Sequence, residues 1–244
     1  MLADMMTEAR ARVRAAEFLP LPGAVRSFAS KRLLEDPFER QASFIERTGC
    51  VFIHVPKAAG TSLADALGTR VGHVPVRRFE AVDAERYASL RSFAFVRNPW
   101  TRMHSAYQYL KSSIGLNRSR DVLWATRYLS DVRDFPDFVA RLDDAAYRRA
   151  VLAYIHFRPQ MDWLDRPGQT EPAVDFIGRF ESLGDDVERL SELVGFTIEL
   201  PHLRKPHAGG LPFAWTLKMI DRVGELYARD VAVLGYQDAA PGRT

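Results

Sequence analysis

Cysteine is nearly absent. Cys50 is the only one in 244 residues, so no intrachain disulfide can form and no redox compartment is prescribed. Long apolar runs are missing too. Residues 1–40 hold no stretch of ~18 apolar residues, so no membrane span is expected there. Met1 to Arg14 is charged and lacks the apolar centre of a secretory signal. Charge of one sign is not in excess: 34 Lys and Arg stand against 31 Asp and Glu, a net +3. That balance fits an anionic small ligand and gives no case for nucleic acid. No internal repeat or low-complexity tract is present. No His/Asp/Glu cluster has ligand spacing, so no metal site is expected. What remains is a chain of ordinary apolar content, long enough for one domain with a large core.

The stretch from Cys50 to Leu67 organises that domain. Cys50-Val51-Phe52-Ile53-His54-Val55 is a short β-branched and aromatic run, the pattern of a buried strand. Cys50 reads there as a small buried hydrophobe. Leu63, Ala66 and Leu67 recur at helical spacing. Between them lies Pro56-Lys57-Ala58-Ala59-Gly60-Thr61-Ser62. A strand–loop–helix of this kind aims backbone N–H groups and the positive end of a helix dipole at one spot. Gly60 admits close backbone approach. Lys57 adds a charge, and Thr61 and Ser62 add hydroxyls. The loop suits an anion, a nucleotide phosphate above all. It is not the ATP-binding loop, which ends Gly-Lys-Ser/Thr; here Lys57 precedes Gly60.

A second strand pattern, Phe93 to Val96, ends at Arg97, and Pro99 is placed to open a helix. Ligands of open α/β sheets bind at the carboxyl ends of strands. The planar fork of Arg97 matches a phosphate. Arg102 and Ser105 follow one helical turn apart. A second phosphate site beside the first is the natural reading.

Residues 1–47 read as an N-terminal extension with some helix, broken at Pro20 and Pro22-Gly23. An amphipathic helix there suits packing on a partner or touching a membrane surface. Residues 48–238 form the domain, and 239–244 a loose tail. His73, after Gly72 in a short extended segment, has the right side chain for a general base. Its spacing alone favours a surface or structural histidine. Residues 80–91 read as a short helix. Lys111 to Arg120 reads as a polar loop whose Lys111, Arg118 and Arg120 could line a groove for an acidic glycan, a plain solvated loop being the equal alternative. Trp163 fits core and sugar-stacking roles equally. Helices are expected from Phe135, over 182–195 and over 214–233, with a third strand at Ala173 to Glu181.

Arg97-Asn98-Pro99-x-x-Arg102-x-x-Ser105-x-Tyr107, following Pro56-Lys57-x-x-Gly60-Thr61-Ser62, resembles the paired phosphate motifs of the sulfotransferase family 2 group. That group includes heparan sulfate 2-O-sulfotransferases and compact bacterial members, and uses 3′-phosphoadenosine 5′-phosphosulfate (PAPS). The resemblance covers roughly residues 48 to 238. It implies an α/β fold, a P-loop NTPase-like three-layer sandwich with a central, mainly parallel sheet flanked by helices. It implies that Lys57 and the amides of Ala58, Ala59, Gly60, Thr61 and Ser62 hold the 5′-phosphosulfate. Arg97 and Ser105 would hold the 3′-phosphate. Gly72-His73-Val74 is similar in type and place to the element that carries the catalytic base, which turns the preference toward His73; His54 and His156 stay open as alternatives. His156-Phe157-Arg158-Pro159-Gln160 and Arg179-Phe180-Glu181 are similar to further family blocks. A basic segment at Arg204-Lys205 would close over the nucleotide, although Pro206 and Ala208-Gly209-Gly210 depart from the pattern.

The expected function is sulfuryl transfer from PAPS to a hydroxyl of a carbohydrate acceptor, a polysaccharide or glycolipid, without a metal. His73 serves as base, and Lys57 stabilises growing charge. A noncatalytic nucleotide- or glycan-binding protein and a P-loop kinase-like enzyme are the alternatives. A kinase needs a Gly-Lys-Ser/Thr loop and a magnesium-binding Asp, and neither is evident. The lack of an apolar anchor and of paired cysteines favours a cytoplasmic bacterial protein over a Golgi one.

Overall fold

The structure, a computed structural model, describes residues 36–116, 119–166, 168–200 and 213–242. Arg118, Arg204, Lys205 and most of the N-terminal extension lie outside the described residues. The described sheet has three strands in the order β1-β2-β3, all parallel. These are β1 (Cys50–Ile53), β2 (Arg91–Val96) and β3 (Phe176–Arg179). Every residue of β1 is buried, and so is β2 after Arg91. Continuous apolar runs of this kind are what a parallel sheet covered by helices requires. Ile53 pairs with Ala94 and Val96 with Arg179, which brings the carboxyl ends of all three strands side by side. The fold is the α/β sandwich with a parallel sheet that the sequence predicts.

Helices surround the sheet in chain order: α1 (Ala42–Thr48), α2 (Gly60–Ala66), α3 (Val76–Ser89), α4 (Pro99–Ser113), α5 (Arg120–Leu129), α6 (Phe135–Arg141), α7 (Ala145–Leu152), α8 (Met161–Leu164), α9 (Leu183–Val194), α10 (Leu217–Leu226) and α11 (Ala228–Val233). The start of α4 follows from its sequence. Asn98 caps it, accepting from the N–H groups of Trp100 and Thr101, and Pro99 opens it where no amide donor is needed. Three sequence expectations need adjustment. Helix α3 begins at Val76, before residue 80. Helix α4 continues to Ser113, so Lys111 lies on a helix and not in a polar loop; its ammonium donates to the carbonyls of Leu129 and Val132, which caps the end of α5. Residues 214–233 hold two helices, because Tyr227 leaves helical geometry between α10 and α11.

Two buried glutamines act as substitute strand partners. Gln41, just before α1, donates to Phe52 O at 3.0 Å and accepts from Phe52 N–H at 2.9 Å. It satisfies the open edge of β1 without another strand. Gln160 does the same for Arg97, accepting from its N–H at 2.9 Å and donating to its carbonyl at 2.8 Å. Gln160 is fully buried, and its own amide donates to Asp230 at 2.7 Å. Asp230 also accepts from the Met161 N–H at 2.9 Å. Buried Arg102 donates to the carbonyls of His156 and Arg158 and lies over the Tyr227 ring. Arg102 is thus a brace for the 156–160 segment.

Asp230 is fully buried, and its burial pushes the carboxyl pKa upward. Replacing it with alanine orphans two buried N–H groups. Asp230→Ala is expected to cost about 3 kcal/mol of unfolding free energy. Urea denaturation monitored by circular dichroism measures it; a loss under 1 kcal/mol would show that water replaces the carboxylate.

Candidate functional site

The loop after β1 holds the two non-glycine residues with positive φ among the described residues. Lys57 has φ +70° and Ala59 φ +65°, left-handed values that side chains with a Cβ rarely adopt. Each costs on the order of 1–3 kcal/mol and persists only where the surroundings over-determine it. Leu63 N–H reaches back to Ala59 O at 3.1 Å. The amides of Gly60, Thr61 and Ser62 therefore stand in the first turn of α2, where a helix offers them no carbonyl. Ala58 and Gly60 are buried, whereas the Thr61 and Ser62 side chains face outward. Gly60 is required for space. A Cβ there would lie 1.9 Å from Cδ2 and 2.0 Å from Nε2 of His54, whose ring fills the floor beneath the loop.

Lys57 and Arg97 are both half-buried, and neither forms an ion pair with another described residue. Burial lowers the Lys57 pKa to about 8, with the nearby Arg97 charge pushing the same way. Burial likewise lowers Arg97 to about 10. Aromatic faces hold both. The Lys57 ammonium stands 4.0 Å from the centre of the Tyr109 ring, and the Arg97 guanidinium 4.0 Å from that of Phe180. Arg97 also donates from Nε to Thr101 Oγ1 at 3.1 Å. Thr101, Ser105 and Tyr109 repeat every four residues along one stripe of α4. The perches of the two cations are thus about 12 Å apart along one rigid helix, with Ser105 between them.

Three histidines gather beside the loop. The His54 and His73 rings are 4.2 Å apart, and His73 and His156 are 6.1 Å apart. Burial, with the charges of His73, His156 and Lys57 behind it, lowers His54 to about 3. His54 is therefore neutral at working pH. His73 Nδ1 lies 3.1 Å from the His54 carbonyl. A carbonyl only accepts, so Nδ1 carries the proton and the lone pair of the neutral ring is on Nε2. His156 is buried. Its Nε2 faces Asp121 at 3.3 Å and its Nδ1 has no partner. Asp121 also accepts from Tyr154 at 2.6 Å and Tyr109 at 2.9 Å. These donors, His156 first, hold its carboxyl well below the usual range.

Of the residues expected from the sequence, Lys57, the Ala58–Ser62 amides, His73 and Arg97 lie at the carboxyl end of the sheet, and Ser105 lies on α4 between Thr101 and Tyr109. The family-like blocks prove to be supports for Arg97. Gln160 holds its peptide and Phe180 its guanidinium. Glu181 accepts from the next amide, Asn98, at 2.8 Å, and from Tyr236 at 3.0 Å. Trp163 is buried, which settles its place in the core. Tyr109, Asp121 and Tyr154 were not foreseen. Tyr109 was findable as the next position of the Thr101–Ser105 stripe. Asp121 sits 64 positions from Lys57 with no local pattern to mark it.

Among the described residues, no group of His, Cys, Asp and Glu has metal-holding geometry, and no helix is long and apolar enough to cross a membrane. A model of the sulfotransferase family matches residues 40–237. No curated protein and no solved structure matches the chain.

The contact between Gly60 and His54 makes a two-step test. Gly60→Ala drives a methyl group into the imidazole and is expected to cost about 2 kcal/mol, the scale of overpacking. Adding His54→Ala opens that space and should recover part of the loss. Thermal melts of both proteins check this; equal melting temperatures for wild type and Gly60→Ala would refute the contact.

Proposed function

The chain belongs to the sulfotransferase family, and from that premise we propose that it transfers a sulfuryl group from PAPS to a hydroxyl of a carbohydrate acceptor. The observation that carries the donor assignment is the pair of half-buried cations, Lys57 and Arg97, neither in an ion pair with a described carboxylate, although Asp121 acts on Lys57 and Glu181 on Arg97 through space. Unpaired buried charge is costly, and an anion is what relieves it. The two cations stand against different turns of α4, Arg97 on Thr101 and Lys57 on Tyr109, which fits a ligand with anionic groups at two positions. The residues present therefore suit the donor.

In this reading Lys57 and the amides of Ala58 to Ser62 hold the 5′ end. Arg97 and Ser105 hold the 3′-phosphate. PAPS supplies the sulfuryl group when bound. Lys57 stabilises charge that grows on oxygen as the bond to the leaving group weakens. His73 accepts the acceptor's hydroxyl proton at Nε2, the nitrogen left basic by the Nδ1 bond to His54 O. His54, with its pKa near 3, is a poor base at neutral pH. His156 has one nitrogen on Asp121 and the other buried. Both fit structural roles better than His73 does. The rigid loop and α4 contribute positioning, as in other group transfers dominated by electrostatics. A saccharide acceptor and a cytoplasmic bacterial setting are parts of this proposal that follow from the sequence resemblance.

Calorimetric titration with 3′,5′-adenosine bisphosphate tests the donor site. Wild type is expected to bind at micromolar concentration. Arg97→Ala should bind about 10- to 100-fold more weakly, the loss of charged hydrogen bonds to phosphate. No binding by folded wild type would remove the reading, and nucleoside triphosphates with magnesium would be tried next. Once labelled PAPS and a saccharide panel identify an acceptor, turnover is expected to decline above about pH 8. The sign follows from Lys57: it is the protonated form that acts, and rising pH removes the proton. Lys57→Ala should lower turnover by roughly 100-fold, equivalent to about 3 kcal/mol. Full activity in that variant would exclude Lys57 from the chemistry.

A further inference from the structure

We propose that Asp121 and Tyr109 together position the Lys57 ammonium at the anion site, which makes Asp121 a positioning residue for the group transfer. This rests on the sulfotransferase reading above. Neither residue belongs to the motifs that identified the site. The link runs through one continuous set of contacts. The Lys57 ammonium lies over the Tyr109 ring. An aromatic face attracts a cation through its quadrupole, and the attraction depends on the ring staying beneath the charge.

Tyr109 is 42% exposed, so packing alone does not fix its ring. Its hydroxyl does, by donating to Asp121 Oδ2 at 2.9 Å. Asp121 in turn is fixed from other sides. Tyr154 donates to Oδ1 at 2.6 Å and His156 Nε2 faces Oδ2 at 3.3 Å. It also sits in the first turn of α5, where the helix dipole favours a carboxylate. The ring is therefore clamped between a fixed carboxylate and the ammonium it supports.

Charge points the same way as geometry. The groups acting on Lys57 come from several elements. Arg97 pushes from the end of β2, and Asp121 pulls from α5. Tyr109 faces Lys57 from α4, and His54 lies beneath the loop with His73 and His156 beyond it. Asp121 supplies the negative charge that keeps the proton on Lys57 against burial and Arg97. Removing that charge lets Lys57 lose its proton at lower pH, and anion affinity that depends on the ammonium then fades at lower pH.

The probe is 3′,5′-adenosine bisphosphate, titrated by calorimetry between pH 6.5 and 9 (a range chosen about the ~8 of Lys57). The proteins are full-length wild type, Asp121→Asn and Tyr109→Leu, each checked by thermal melt. For wild type, affinity is expected to begin falling near pH 8. For Asp121→Asn the onset should move down, so that affinity at about pH 8, relative to about pH 6.5, is roughly threefold poorer than in wild type. Asp121→Asn keeps an amide oxygen that can accept from the Tyr109 hydroxyl, so its affinity near pH 6.5 should stay within about twofold of wild type; a merely structural role would lower affinity at every pH. Tyr109→Leu keeps the carboxylate and removes the perch, and should bind about fivefold more weakly near pH 6.5. An unshifted onset in folded Asp121→Asn would overturn the inference. So would a gain of affinity in Tyr109→Leu, which would mean that the ring draws the lysine away from the anion. Failure of wild type itself to bind would overturn the donor assignment, a different result from either variant behaving like a binding-competent wild type.

Discussion

Two positive charges held half out of water, close enough to repel, are the constraint on which this structure turns. Lys57 and Arg97 each lose part of their hydration, and each has its pKa lowered as a result. A carboxylate beside either one would relieve the cost and would also occupy the place of an anionic ligand. The fold instead uses weaker partners that leave the charge available: ring faces, a threonine hydroxyl and a distant carboxylate. A site of this kind is stable only if those partners cannot move away.

Much of the molecule away from the cleft serves that end. Arg97 is fixed by Gln160, Gln160 by Asp230, and Asp230 is carried by α11, near the end of the chain. Tyr227 donates to the Phe157 carbonyl at 2.6 Å, and Arg102 braces the same segment from α4. Glu181 joins the Arg97 turn to Tyr236. Buried and fully partnered polar chains of this sort rigidify what they connect. The left-handed backbone at Lys57 and Ala59 is held by the same logic, with the His54 ring seated against Gly60.

Parts of this were legible in the chain of letters. The strand before Lys57 and the strand before Arg97 were visible because continuous apolar runs betray a covered parallel sheet. Once both strands were placed, their carboxyl ends were the place to expect the ligand, and the parallel register puts Lys57 and Arg97 in the segments that follow neighbouring strands. The stretch after Leu110 was misjudged because Lys111, Ser112 and Ser113 look like loop residues; Lys111 is tied to carbonyls at the end of α5, a tertiary contact with no local trace. The three-histidine cluster was equally hidden, since His54, His73 and His156 meet only when the sheet closes.

The sequence by itself determined the elements and the chemistry of the loop. Residue type sets where a strand ends, where Pro99 and Asn98 start a helix, and which side chains can meet phosphate. Those are properties of a few adjacent residues. Tertiary structure alone decided that His54, His73 and His156 gather beside the loop, how far each cation is buried, and that Asp121 and Tyr109 stand behind Lys57. Desolvation, tautomer choice and cation–π contact depend on groups distant in sequence, and no local pattern specifies them.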